Sequence, residues 1–242
     1  MRMIRPPGVY RPQGDTALLL ESLAREPLGP GARTLDLCTG TGVLAVAAAR
    51  RGAEATASDI SLPAVAAARS NARLHGCRVR VLHGDLAAPL AGERFDLVTV
   101  NPPYVPARTP TAPVRGRRRA WDAGHDGRLL LDRICRIAPE LLARDGVLLL
   151  VQSSLSGIAA SLTALYAQGL RAHVSARRVQ RFGPVMAARA GWLERGGLVE
   201  PGTRAEELVV IRAVSEAAVR PSPPAPDQVW GAPSGESGSG PG

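Results

Sequence analysis

The run Phe95-Asp-Leu-Val-Thr-Val100 is built of strand-forming residues and stops abruptly at Asn101-Pro102-Pro103-Tyr104. An Asn side chain carries one carbonyl acceptor and one amide donor. Pro102 has no N–H and a fixed φ, so its backbone carbonyl has little freedom. The Asn101 and Pro102 carbonyls therefore make two fixed acceptors, suited to both hydrogens of a planar –NH₂ group. Tyr104 adds a ring that can lie against such a plane. Asn101, Pro102 and Tyr104 are the candidate reactive residues, with Pro103 beside them as a substrate contact.

Three acids fall at the ends of other apolar runs: Asp36 in Thr34-Leu-Asp-Leu-Cys38, Asp59 after 53–58, and Asp85 after 78–84. Asp36 is followed by Thr39-Gly40-Thr41-Gly42, a turn whose glycines let a ligand approach the backbone closely. Asp59 can accept from both hydroxyls of a ribose, and Asp85 from an adenine amino group. Gly40-x-Gly42-x-x-Ala45 also fits a loose dinucleotide pattern, so glycines alone do not exclude NAD. A carboxylate at Asp36 would crowd a pyrophosphate, and it suits a cationic or amino-bearing ligand better.

These residues need a scaffold that brings strand ends to one rim. Strand patterns at 34–38, 53–58, 78–85, 95–100 and 147–152 alternate with helical patterns at 43–51, 61–76, 127–146 and 156–169. Such alternation predicts a doubly wound, mostly parallel α/β sheet, with ligands beyond the carboxyl ends of the strands. The 61–76 helix has a Ser at its start, a Pro in its first turn and a Gly at its end. Two last strands, 170–180 and 207–213, lack a helical crossover and are expected to pair antiparallel around an insertion at 181–206. A helix is expected at 11–25, entered through Gly14-Asp15-Thr16. Three units follow: a lead-in at 1–33, a catalytic body at 34–214, and a Pro/Gly/Ser-rich tail at 215–242 with too little to bury for order.

The chain has 242 residues and a formal net charge of +9, and every one of its 30 basic residues is Arg. This basic excess suits contact with RNA or the ribosome. Three Cys and four His lack metal-ligand spacing, so no metal is expected. No signal-peptide pattern opens the chain and no apolar run reaches membrane-spanning length, so a cytoplasmic protein is expected.

The combination of Asp36-Leu-Cys-Thr-Gly-Thr-Gly42, Asp59, Asp85 and Asn101-Pro-Pro-Tyr104 resembles a Rossmann-like class I methyltransferase that acts on nitrogen. It is similar to the HemK-like family, whose best-known members methylate the glutamine amide of the Gly-Gly-Gln motif in translation release factors. Residues 9–23 resemble the family's N-terminal segment, and 120–134 its Trp-x-x-Gly-x-x-Gly stretch. The absence of room for a separate helical domain ahead of residue 34 resembles the family's short branch. The resemblance implies S-adenosylmethionine as cofactor. It implies contacts to it from Asp15, Thr16, Asp36, Cys38, Thr39, Gly40, Gly42, Asp59, Ile60, Asp85, Leu86 and Asn101, and a substrate-side place for Trp121. It further implies a protein substrate, such as a release factor, and for some short-branch enzymes a small zinc-binding activator. The alternatives are a nucleic-acid adenine N6-methyltransferase, which would also hold a flat –NH₂, and an NAD-dependent oxidoreductase. The loop 105–125, with five Arg and three Pro, is expected to grip the substrate. Arg189, Trp192 and Arg195 in the late insertion suit either packing or a partner.

Overall fold

A computed structural model describes residues 1–90, 92–111, 113 and 116–215. The expected tail therefore lies almost wholly outside the described residues. The elements are, in order, α1 (Gly14–Arg25), β1 (Arg33–Leu37), α2 (Val43–Ala49), β2 (Glu54–Asp59), α3 (Leu62–Leu74), β3 (Val79–His83), β4 (Phe95–Val100), α4 (Leu129–Leu141), β5 (Leu142–Ser153), α5 (Ile158–Ala167), β6 (Leu170–Arg181), α6 (Pro184–Arg195) and β7 (Ala205–Ser215).

The seven strands form one sheet in the order β3-β2-β1-β4-β5-β7-β6. All pairings are parallel except those of β7, which runs antiparallel to both β5 and β6. The chain winds outward from β1 toward β3, then restarts at β4 on the other side. The crevice between β1 and β4 is therefore the switch point, where open parallel sheets bind ligands. Helices α1, α2 and α3 pack in succession along one face, while α4 and α5 pack on each other against the other. Burial on both faces explains the near-continuous apolar runs of β4 and β5. Leu18, Leu19 and Leu23 of α1 share the central core with Leu35, Leu97, Leu149 and Val209, so the lead-in helix is built into the body.

Two local expectations are corrected. The fourth helical pattern, read to residue 146, stops at Leu141, and β5 starts at once with Leu142, which pairs with Phe95. Pro139 lacks an N–H to continue the helix ladder, and burying Leu142 against the sheet takes over. An irregularity in β5, where Asp145 has φ +60°, then shifts the register, and pairing resumes at Leu97 with Val147. Ser61 stands at the start of α3, but its hydroxyl makes no capping bond. Its backbone N–H is taken instead by Asp59 Oδ1 at 2.8 Å. The 181–206 insertion contains α6, entered at Pro184.

Candidate active site

Register decides what meets at the rim. Leu37 pairs with Val100 across β1 and β4, so Cys38 and Asn101 leave the sheet side by side. Leu37 also pairs with Ser58, and Asp59 with His83, which brings Asp59 and the β3 exit onto the same rim. These ends floor a cavity of about 860 Å³. The segment 7–12 and the first turn of α1 form one wall, and the loop carrying Arg117, Arg119 and Trp121 forms another.

Every residue expected to contact cofactor or substrate lines this cavity except Asp36 and Gly42. Asp36 is 2% exposed and lies beneath the turn. Its oxygens accept from the hydroxyls of Thr39 (2.5 Å) and Thr99 (3.0 Å). Burial pushes its carboxyl up to about 7, against the pull of those hydroxyls and the Ala45 backbone amide. The expected direct contact of Asp36 with a ligand gives way to a role in shaping the turn. Gly42 has φ +79°, and a Cβ there would lie 2.9 Å from Ala68 of α3. Its lack of a side chain serves helix packing. Gly40, also at positive φ, would carry a Cβ into open space, so its bare backbone faces the cavity.

Asp59 is anchored by two backbone donors, Gly40 N–H to Oδ2 at 2.9 Å and Ser61 N–H to Oδ1. Each carboxylate oxygen has a second lone pair, so a fixed acceptor pair remains for a diol. Burial raises its pKa against the pull of those backbone amides. Asp85 pairs with Arg133 of α4 at 2.7 Å, and both are roughly half exposed. An amino group meeting Asp85 would join an existing ion pair. Cys38 sits at φ +56°, and burial raises its thiol pKa, with Asp59, Asp36 and Asp85 adding to the effect. Ile60 is exposed on the cavity's edge, while Leu86 is buried, and its carbonyl accepts from Ser58 Oγ at 3.1 Å.

Asn101 donates from Nδ2 to Thr16 Oγ1 at 3.2 Å. Among the described residues, nothing donates to its Oδ1 or to the Pro102 carbonyl, although Pro102 itself is buried. Asn101 is half-buried, and both residues line the cavity, so the two acceptors stand open at one rim. Tyr104 lines the cavity as well. It is 7% exposed, and its hydroxyl donates to Asp15 Oδ2 at 3.1 Å. Burial, with Asp15 next to it, raises its pKa well above the usual phenol range. Its backbone carbonyl accepts from Ser156 Oγ at 2.8 Å, across Gly127, whose position leaves no space for a Cβ. Trp121 lines the cavity, and its buried indole N–H has no partner among the described residues.

Sequence reasoning missed Tyr10, which donates to Asp15 Oδ2 at 2.8 Å. It also missed the function of α6. Arg189 donates to Asp122 at 2.5 Å and to the Pro106 carbonyl at 2.7 Å, fastening the insertion to the loop after the tetrad. The side chain of Asp122 is 4% exposed. Nothing local marks that pair, which spans 67 residues.

A nucleoside ligand with a ribose diol and positive charge fits this cavity. The cavity offers such a ligand an anchored carboxylate at Asp59, a bare backbone at Gly40, and Asp85 beside Arg133. Among the described residues no His/Cys/Asp/Glu group could hold a metal, and no helix is long and apolar enough to cross a membrane.

Residues 1–115 match the methyltransferase small domain family. A putative protein N5-glutamine methyltransferase of Methanocaldococcus jannaschii is 33% identical over 185 residues, 76% of this chain and 92% of the relative. A release factor glutamine methyltransferase of Geobacter sulfurreducens is 38% identical over 151 residues, 59% of this chain; the match spans 52% of that longer protein. Among solved structures, the Mtq2–Trm112 complex of E. cuniculi, responsible for methylation of the eRF1 translation termination factor, shares the fold. Its TM-score is 0.59 at 22% identity, over 87% of this chain and 99% of that one. These matches do not favour the dinucleotide oxidoreductase reading: the chain belongs to the HemK-like family of class I, S-adenosylmethionine-dependent N-methyltransferases.

Proposed function

We propose that the chain methylates the side-chain amide nitrogen of a glutamine in a protein, with the Gly-Gly-Gln glutamine of a translation release factor as the first candidate. The observation that carries this reading is the pair of open acceptors, Asn101 Oδ1 and Pro102 O, at the rim of the cofactor cavity. The M. jannaschii and G. sulfurreducens relatives, named for glutamine methylation, support it.

S-adenosylmethionine supplies an already activated methyl group on its sulfonium. The chain's task is alignment. Asp59 holds the ribose diol, Gly40 allows close approach of the ligand, and Asp85 with Arg133 borders the base. An amide nitrogen is a poor nucleophile because its lone pair is delocalised. Asn101 Oδ1 and Pro102 O accept its two hydrogens and orient the lone pair. Their hold strengthens as positive charge develops on the nitrogen, which is stabilisation specific to the transition state. The Tyr104 hydroxyl is committed to Asp15, so Tyr104 contributes a wall and no base. The proton leaves late, to water.

The Arg-rich surface suits ribosomal surroundings in the cytoplasm, and a small zinc-binding activator belongs to the same reading. The test is incubation with labelled S-adenosylmethionine and Gly-Gly-Gln release factors, histone-like peptides, rRNA and DNA. Label on the release-factor glutamine is expected; label on RNA alone refutes the protein substrate. Asn101→Ala should lower transfer about 10²–10³-fold while leaving S-adenosylhomocysteine binding nearly intact. Asp59→Ala should weaken that binding first.

A further inference from the structure

We infer that Asp15 and Thr16, at the first turn of α1, set the flip of the Asn101 amide so that its oxygen, and not its nitrogen, faces the acceptor nitrogen. The inference rests on the reading of Asn101 just given and assigns two positioning residues to it.

An Asn side chain has two nearly isosteric orientations, and hydrogen bonds decide between them. Asn101 meets Thr16 Oγ1 at 3.2 Å. A threonine hydroxyl has one hydrogen to give. Here that hydrogen has a better acceptor, Asp15 Oδ1 at 3.1 Å, because a carboxylate outcompetes a neutral amide oxygen. Thr16 Oγ1 is left with lone pairs only. The group opposite must donate, so Nδ2 turns toward Thr16 and Oδ1 toward the cavity.

Asp15 is well held for this task. It is 2% exposed. Its Oδ2 accepts from Tyr10 and Tyr104, and its Oδ1 also accepts from the Thr16 backbone N–H at 2.5 Å. With four donors around it, it accepts at every bond. The same carboxylate thus grips the tetrad at both ends, through Tyr104 directly and through Thr16 to Asn101. The Pro102 carbonyl lies between those two fixed points. With the amide reversed, an N–H would point at the substrate –NH₂, donor against donor, and one acceptor would be lost.

The experiment uses the full chain, labelled S-adenosylmethionine and a Gly-Gly-Gln release-factor domain. Thr16→Val keeps the shape and removes the hydroxyl; Thr16→Ser keeps the hydroxyl. Thr16→Val should lower kcat about a hundredfold, with acceptor KM and S-adenosylhomocysteine affinity changed less than about threefold. Thr16→Ser should restore most of the rate, and Thr16→Val should cost nothing further in an Asn101→Ala background. Wild-type kcat in Thr16→Val beside an inactive Asn101→Ala overturns the relay alone. An active Asn101→Ala overturns the reading beneath it. Loss of S-adenosylhomocysteine binding in Thr16→Val assigns Thr16 to the cofactor and also overturns the relay. A second arm needs no acceptor: in ¹⁵N-labelled protein, one Asn101 side-chain amide proton should contact the Thr16 methyl and exchange slowly. In Thr16→Val both protons should exchange like a free amide, and fast, equal exchange already in the wild type refutes the inference.

Discussion

Arg189→Met should free the loop that follows the reactive tetrad. Arg189 has 18% of its side-chain surface in water, and Asp122 only 4%. The guanidinium makes two short bonds, to the Asp122 carboxylate and to the Pro106 carbonyl. Methionine keeps much of the apolar stem and removes the charge. Breaking a fully buried pair by deleting one partner costs about 3–5 kcal/mol, because the other charge is stranded. Arg189 retains some water, so a cost of about 2–3 kcal/mol is expected. The loop keeps its backbone bonds between Val105 and Trp121, Ala123 and Val105, and Ala107 and Gly124. The loss should therefore appear as local opening ahead of global unfolding.

Trypsin reads this directly, because Arg117 and Arg118 lie in the loop. When opening is fast relative to cleavage, the cleavage rate follows the open population. A cost of about 2–3 kcal/mol then corresponds to about 30- to 160-fold faster native-state cleavage. Arg195→Met, at the exposed end of the same helix, should leave cleavage unchanged. Asp122→Asn combined with Arg189→Met should recover part of the protection, since no charge is then stranded. Cleavage of Arg189→Met at the wild-type rate would refute the clamp and leave α6 as packing only.

The two glycines of the cofactor turn should behave differently. Gly42→Ala combines a left-handed backbone with a clash against Ala68 and should destabilise by about 2–4 kcal/mol in urea. Gly40→Ala bears only the backbone term and should cost about 1–2 kcal/mol while abolishing S-adenosylhomocysteine binding; equal destabilisation would contradict the division of roles. A pH dependence follows from Asp36, whose carboxyl burial raises from 3.8 to about 7. Between those values the native state holds a proton that the unfolded chain has released, so stability falls as pH rises through the interval and levels off above it. The fall should reach about 4 kcal/mol at most. Asp59, also raised, pushes the same way. Asp36→Asn should flatten the urea-midpoint profile, and a wild-type profile that rises over this range would refute the assignment.

The sequence carries the sheet because parallel strands buried on both faces leave a readable trace: short apolar runs, each closed by a polar residue at the carboxyl end. It carries these polar residues of the cavity lining for the same reason, since Asp59, Asp85 and Asn101 each interrupt such a run. Asp36 shows where that reasoning stops. A strand-end carboxylate looks the same whether it faces a ligand or lies under the turn, and only packing of Thr39 and Thr99 onto it decides. Gly42 shows the same limit, for a glycine that meets a ligand and one that meets Ala68 are written identically. Helix α4 ended early because Leu142 could pair with Phe95 across the sheet, a tertiary demand that periodicity does not contain.

What aims the reactive groups was harder still to read, and the reason is physical. Asn101 is held by a hydroxyl 85 residues earlier, and Asp122 by a guanidinium 67 residues later. Each pair needs the whole sheet to form before its members meet, so neither leaves a local spacing rule. Asp15 and Thr16 were legible only through resemblance, which suggested contact with the cofactor; both do line its cavity, yet their hydrogen bonds run to Tyr10, Tyr104 and Asn101. An acceptor pair is useful only if both lone pairs point at the substrate. Under the proposed function the tetrad supplies the pair, while α1 and α6, far from it in sequence, hold the tetrad and its loop in place.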